Sequence, residues 1–207
     1  MPSGKRSAAI LDSVPTTSEA LILGTGVIGR ATSAVLMHHG FSVAGYDHNA
    51  DALAGFPGES IGGDFAPRDW SVIAICVPTP TVDGAMSSTA LLDALEQAKR
   101  SLSPSGPFAT IVIRSTIVPG TMESLVRRSM ADVITTGRAG VCHWPSFARE
   151  RFASDDEARP RAVVFGTDGN AESAIVLGGL YSALRPRSAV LLGMAGGVRS
   201  KVKLGDI

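Results

Sequence analysis

The sequence predicts an α/β fold of the Rossmann type: a doubly wound, mainly parallel sheet with helices on both faces. Three observations carry that prediction. Apolar runs of strand length alternate with helical patterns, one run passes directly into a G-x-G-x-x-G turn, and an acid or hydroxyl-bearing residues gather where several of the runs end.

The first element is the stretch Leu21-Ile22-Leu23 followed by Gly24-Thr25-Gly26-Val27-Ile28-Gly29. It reads as a buried parallel strand entering a helix that continues from Arg30 to His39. Gly24 permits the tight turn, Gly26 lets a pyrophosphate approach the backbone, and Gly29 lets helix and strand pack closely. The free N–H groups near Val27 and the positive end of the helix then favour phosphate.

The second strand, Phe41 to Tyr46, ends at Asp47, 18 residues after Gly29. An acid there accepts hydrogen bonds from ribose hydroxyls and repels a 2′-phosphate, which favours NAD over NADP. Ala50 to Leu53 fits one helical turn, and the connection rich in glycine and proline from Gly55 to Pro67 reads as loop. Trp70 to Val77 is a third buried strand, stopped by Pro78-Thr79-Pro80. Ligands of open parallel sheets bind beyond the carboxyl ends of strands, so Thr79 lies on the cofactor's path.

Ser87 or Ser88 is placed to cap the next helix, in which Leu91, Leu92, Leu95, Ala98 and Leu102 recur at helical spacing. The strand Ala109 to Ile113 runs into Arg114-Ser115-Thr116-Ile117-Val118-Pro119-Gly120-Thr121, and a helix follows from Met122 to Ala131. The stretch Val141 to Arg151 joins a short strand to a polar loop, Ala153 to Arg161; Ala162 to Gly166 reads as a strand, Ala171 to Leu184 as a helix, and Ser188 to Met194 as a last strand. The resulting division is a flexible leader over 1–18, a cofactor domain over 19–186, and a strand with a helical piece over 187–207.

Bulk properties exclude several classes of partner. The 207 residues carry 19 basic and 19 acidic side chains and no basic stripe, which argues against nucleic acid. The apolar runs are too short for a membrane span, and no signal sequence is recognisable. Two cysteines, Cys76 and Cys142, both in apolar surroundings, give no disulfide framework and suit a reducing cytoplasm. His38 and His39 suit the negative end of a helix rather than a metal, and no metal is expected.

Several segments together resemble the UDP-glucose/GDP-mannose 6-dehydrogenase family. They are the glycine turn, Asp47, Val77-Pro78-Thr79-Pro80, Ser115-Thr116-Ile117-Val118-Pro119-Gly120-Thr121, and Pro145-Ser146-Phe147-Ala148-Arg149-Glu150. The family carries V-P-T-P, S-T-V-x-P-G-T and N-P-E-F-L-R-E-G in the same order. The resemblance implies NAD-dependent oxidation of a CH–OH group of a sugar nucleotide or nucleoside-like substrate. It also implies that Ile28, Asp47, Thr79 and Thr116 contact the cofactor, alongside Gly24, Gly26, Val27 and Gly29 of the turn. By the same resemblance Thr116 holds an oxygen near the reacting carbon, Glu150 lies near cofactor and substrate, and Lys203 stabilises the developing oxyanion.

Departures from the family pattern are specific. Ser146 stands for the first glutamate, Trp144 for the asparagine, Arg151 for the glycine, Ile207 for an asparagine after the lysine, and Ala52 for a lysine. The chain ends before the long dimerisation helix and the C-terminal domain that bears the family's nucleophilic cysteine. Cys76 reads as core, and Cys142 cannot pair with His143 because neighbours in a strand point oppositely. A homo-oligomer or a partner chain completing the pocket is therefore expected. The alternative is a catalytically degenerate module that binds NAD or protein.

Overall fold

The computed structural model describes residues 18–160, 162–167 and 188–193. Its main body is one eight-stranded sheet. The chain starts in the middle with β1 (Glu19–Leu23), crosses through α1 (Val27–His38) to β2 (Ser42–Tyr46), and reaches one edge at β3 (Glu59–Ile61). It then returns to the other side of β1 with β4 (Trp70–Ile75) and proceeds outward through β7 (Ala109–Ile113), β8 (Ala139–His143), β9 (Ala162–Thr167) and β10 (Ser188–Gly193). The direction of winding therefore reverses between β1 and β4, and a crevice opens at their carboxyl ends. Every pairing in this sheet is parallel except β8–β9, which meet antiparallel at Cys142 and His143.

Buried parallel strands need apolar side chains on both faces, which explains the unbroken apolar runs. Leu21 and Leu23 join Ile73, Ile75, Ile111 and Ile113 on one face, under α2 (Thr89–Ser101). Ala20 and Ile22 join Val72, Ala74, Val112 and Cys142 on the other, against Val35 and Leu36 of α1. A small hairpin, β5 (Thr81–Val82) and β6 (Ala85–Met86), turns at Asp83 and Gly84, both at positive φ, and carries the chain from β4 to α2.

Several elements differ from the sequence reading. The loop predicted from Gly55 to Pro67 contains β3, whose three residues are too few to display a period. Ser88 occupies the N-cap of α2, but its hydroxyl makes no capping bond; Ser88 has helical φ and ψ, and its carbonyl accepts from Leu92 N–H instead. The single helix predicted over Met122 to Ala131 is a π turn (Met122–Val126) followed by α3 (Arg127–Ser129) and α4 (Ala131–Thr135), separated at Met130. The polar loop predicted over Ala153 to Arg161 is corrected to a helix, α5 (Ala153–Ala158), packed on α1. Ala153 and Glu157, one turn apart, are its buried face, and Asp155 and Asp156 complement the positive end of the helix. The helix expected over Ala171 to Leu184 and the segment after Gly193, including Lys203, lie outside the described residues.

Candidate functional site

The glycine turn lies at the switch point, and each glycine answers a different physical demand. Gly24 has φ +93°, and a Cβ there would lie 2.8 Å from the Cys76 carbonyl oxygen. At Gly29 a Cβ would lie 2.0 Å from the Gly24 carbonyl oxygen, so only glycine lets α1 seat on β1. Gly26 is the opposite case: a Cβ there would meet no atom within 4 Å and would project into open space. A packing reason is thus present at Gly24 and Gly29 and missing at Gly26, as expected of a cradle shaped for a ligand. The structure itself therefore fits a pyrophosphate at this turn.

Asp47, at the end of β2, is locked against the same turn. Its Oδ2 accepts from the Thr25 backbone N–H at 2.8 Å and the Thr25 hydroxyl at 3.3 Å, and its Oδ1 accepts from the Asn49 N–H at 3.0 Å. The adjoining rim is fixed by Arg30 of α1, whose guanidinium donates to the carbonyls of Ala52, Ala54 and Gly55 at 2.7, 2.8 and 2.6 Å. On this side of the turn lies a cleft of about 470 Å³ whose lining includes Gly24, Asp47, His48, Pro78 and Asp93. It has the size and the acid expected of a pocket for adenosine.

Across the turn lies a second cleft of about 550 Å³. It is lined by Gly26, Val27 and Ile28, by Cys76 to Thr79 after β4, by Arg114 to Thr116 after β7, and by Ser146 and Ala148. The two strand-end loops are stitched together over it. Thr79 Oγ1 donates to the Thr116 carbonyl at 2.5 Å, and Ser115 Oγ donates to the Val77 carbonyl at 2.7 Å. Val77 and Pro78 line both clefts, so the two adjoin at the loop after β4.

The sequence-predicted residues thus separate into two sets. Gly24, Gly26, Val27, Ile28, Gly29 and Asp47 gather around the turn, and Thr79 and Thr116 meet in the second cleft. The backbone of Glu150 opens a 3₁₀ turn, Glu150–Phe152, two residues beyond the cleft-lining Ala148. Lys203 lies outside the described residues. Cys76 packs against the core as expected, and, half-buried just beyond the end of β4, it also lines the second cleft. Burial nevertheless pushes its thiol up to about 12, so it is not a thiolate. Cys142 is fully buried in β8 among apolar neighbours. Among the described residues no cluster of three or more metal-ligating side chains occurs, and no helix is long and apolar enough to cross a membrane.

Sequence reasoning missed Arg114 and Glu157. Arg114 Nη2 and Glu157 Oε2 are 2.5 Å apart, and both side chains are buried. Arg114 also donates from Nη1 to the Trp144 carbonyl at 2.9 Å and lies 4.0 Å over the Trp144 ring, while Ser146 Oγ donates to Glu157 Oε1 at 2.6 Å. The available signal was a lone arginine closing an apolar strand; its partner lies on a helix that periodicity does not reveal.

Comparison with known proteins agrees with this geometry. The fold is similar to a GDP-mannose dehydrogenase from Pseudomonas aeruginosa (TM-score 0.71, 23% identity, covering 84% of this chain and 45% of that one). It is similar also to a UDP-glucose dehydrogenase from the hyperthermophilic archaeon Pyrobaculum islandicum (TM-score 0.71, 25% identity, 94% and 48%). A UDP-D-ManNAc dehydrogenase from Pyrococcus horikoshii gives a TM-score of 0.68 at 20% identity, covering 84% of this chain and 47% of that one. The chain thus spans just under half the length of these structures. No curated protein matches the sequence. The family model for the UDP-glucose/GDP-mannose dehydrogenase family, NAD binding domain, matches residues 58–185, a span that begins after the glycine turn and Asp47. Turn and matched segment therefore point to the same cofactor independently, and the chain belongs to the UDP-glucose/GDP-mannose dehydrogenase family through its NAD-binding domain.

Proposed function

We propose that this chain is the cofactor-binding part of an NAD-dependent oxidoreductase acting on a CH–OH group of a sugar nucleotide or nucleoside-like substrate. The observation that carries the reading is the pair of adjoining clefts on either side of the Gly24–Gly29 turn, one bearing Asp47 and the other Thr79 and Thr116. In this reading residues 19–186 form the cofactor domain, and a further domain, a second copy or a partner chain completes the substrate pocket.

Bound NAD would supply hydride acceptance at its nicotinamide. The chain's own residues would do the rest. N–H groups at Gly26 and Val27 would hold the pyrophosphate, Asp47 would accept from the adenosine ribose hydroxyls, and Gly24, Ile28 and Gly29 would shape the turn beneath. Thr79 and Thr116 would orient the nicotinamide half, with Thr116 also holding the substrate oxygen. Glu150 and Lys203 are assigned to substrate and developing oxyanion through the family resemblance.

The test is titration of the chain with NADH, NADPH and ADP-ribose, followed by a screen of sugar nucleotides for NAD reduction. Expected are binding of NADH and ADP-ribose, much weaker binding of NADPH, and loss of NADH affinity in Asp47→Ala. A chain that binds none of the three, or an Asp47→Ala variant with unchanged affinity, overturns the reading.

A further inference from the structure

The second cleft has an unusual floor. Arg114 is 1% exposed and yet belongs to the lining, held by Glu157 behind it, by the Trp144 carbonyl and ring, and by the Thr32 hydroxyl at 3.3 Å from Nε. Glu157 is 6% exposed and lines a separate depression with Trp144, Pro145 and Phe147. A positive charge thus lies under the cleft, and the negative charge of its ion-pair partner compensates it. Arg114 lies at the end of β7 and Glu157 on α5, so the compensation depends on the docking of that helix.

We propose that the Arg114–Glu157 pair sets which oxidation state of a nicotinamide dinucleotide the cleft prefers. The inference rests on the reading above that the nicotinamide half enters this cleft. The oxidised ring is a cation and the reduced ring is neutral, whereas ribose, pyrophosphate and adenosine are the same in both. A buried charge beside the ring therefore acts on one form and not on the other, and burial limits its screening by water and salt. With Glu157 present, the field of Arg114 is largely cancelled and the oxidised form is accepted. Without it, Arg114 repels the oxidised ring alone.

Calorimetric titration of the full chain with NAD⁺ and with NADH tests this, because the ratio of the two dissociation constants cancels every contribution common to both nucleotides. Expected for E157Q is a loss of NAD⁺ affinity relative to NADH of about tenfold. R114M, which leaves the carboxylate, moves the ratio the other way, and R114M/E157Q returns it towards the wild-type value. R114K and E157D, which keep both charges, hold the wild-type ratio. General damage to the fold weakens both nucleotides together and leaves the ratio unmoved. Thermal unfolding identifies any single variant that has lost its fold; the other single variant then decides, since its sign is fixed beforehand. Ratios indifferent to these exchanges in a wild-type background that binds both nucleotides overturn the charge assignment alone. A wild-type chain that binds neither overturns the proposed function with it.

Discussion

The backbone N–H of Thr25 donates to Asp47 Oδ2 at 2.8 Å, tying the middle of the glycine turn to the end of the neighbouring strand. One acid therefore has two tasks: it holds the turn and, in the proposed reading, receives the ribose hydroxyls. Hydrogen bonds to a charged partner contribute about 1.5–3 kcal/mol each. Asp47→Asn, which keeps the shape and removes the charge, is expected to lower NADH affinity by about tenfold to a hundredfold and to narrow the gap to NADPH. Paired titrations with the two reduced nucleotides check this.

The three glycines of the turn separate folding from binding. Gly29→Ala forces a Cβ to within 2.0 Å of the Gly24 carbonyl oxygen, so a loss of several kcal/mol in urea unfolding is expected. Gly26→Ala meets nothing within 4 Å and should leave stability within about 0.5 kcal/mol of wild type while abolishing NADH binding. A Gly26→Ala chain that still binds NADH with wild-type affinity would show that the open space beside Gly26 is not the pyrophosphate cradle.

Neither cysteine is expected to act as a nucleophile. The Cys76 thiol, pushed up to about 12 by burial, stays protonated at neutral pH even though it borders the second cleft, and Cys142 is fully buried. Only the thiolate reacts. Iodoacetamide at pH 8 should leave both unmodified in the folded chain and alkylate both in urea, as read by intact mass. Rapid labelling of native Cys76 would contradict the assignment.

Stability should fall on mild acidification, in part through His143. Burial lowers its pKa below the usual 6.5, against a smaller opposing contribution from its hydrogen bond to the Ser115 backbone, and its Nε2 is buried without a partner. The unfolded chain then binds a proton that the folded chain does not, in the window between the lowered value and 6.5. The stability is present above that window and is lost as pH falls through it. His39, also lowered by burial and secondarily by His38, acts in the same direction. Urea midpoints at pH 7.5 and 5.5 should therefore differ less in His143→Gln than in wild type. An equal drop in both chains would remove His143 from the account.

Local chemistry made much of this protein readable from its sequence. Strand-length apolar runs alternating with helical periods already contain the doubly wound sheet, because buried parallel strands must be apolar on both faces. The glycine turn, Asp47, and the hydroxyls of Thr79 and Thr116 were legible for a similar reason: each sits at or just beyond the end of a strand, where its role follows from short-range geometry. Tertiary packing decided the remainder. Whether 153–158 coils or winds depends on burying Ala153 and Glu157 against α1, and three residues become β3 only through pairing with β2. That Cys76, packed on the core, also borders a cleft depends on the strand-end loops that meet beside it. Above all, Arg114 finds Trp144 30 residues away and Glu157 further still, and a charge pair between distant elements leaves no period or spacing to read. The sequence by itself determined the scaffold and the cofactor turn; the electrostatics of the cleft floor were decided only when α5 docked.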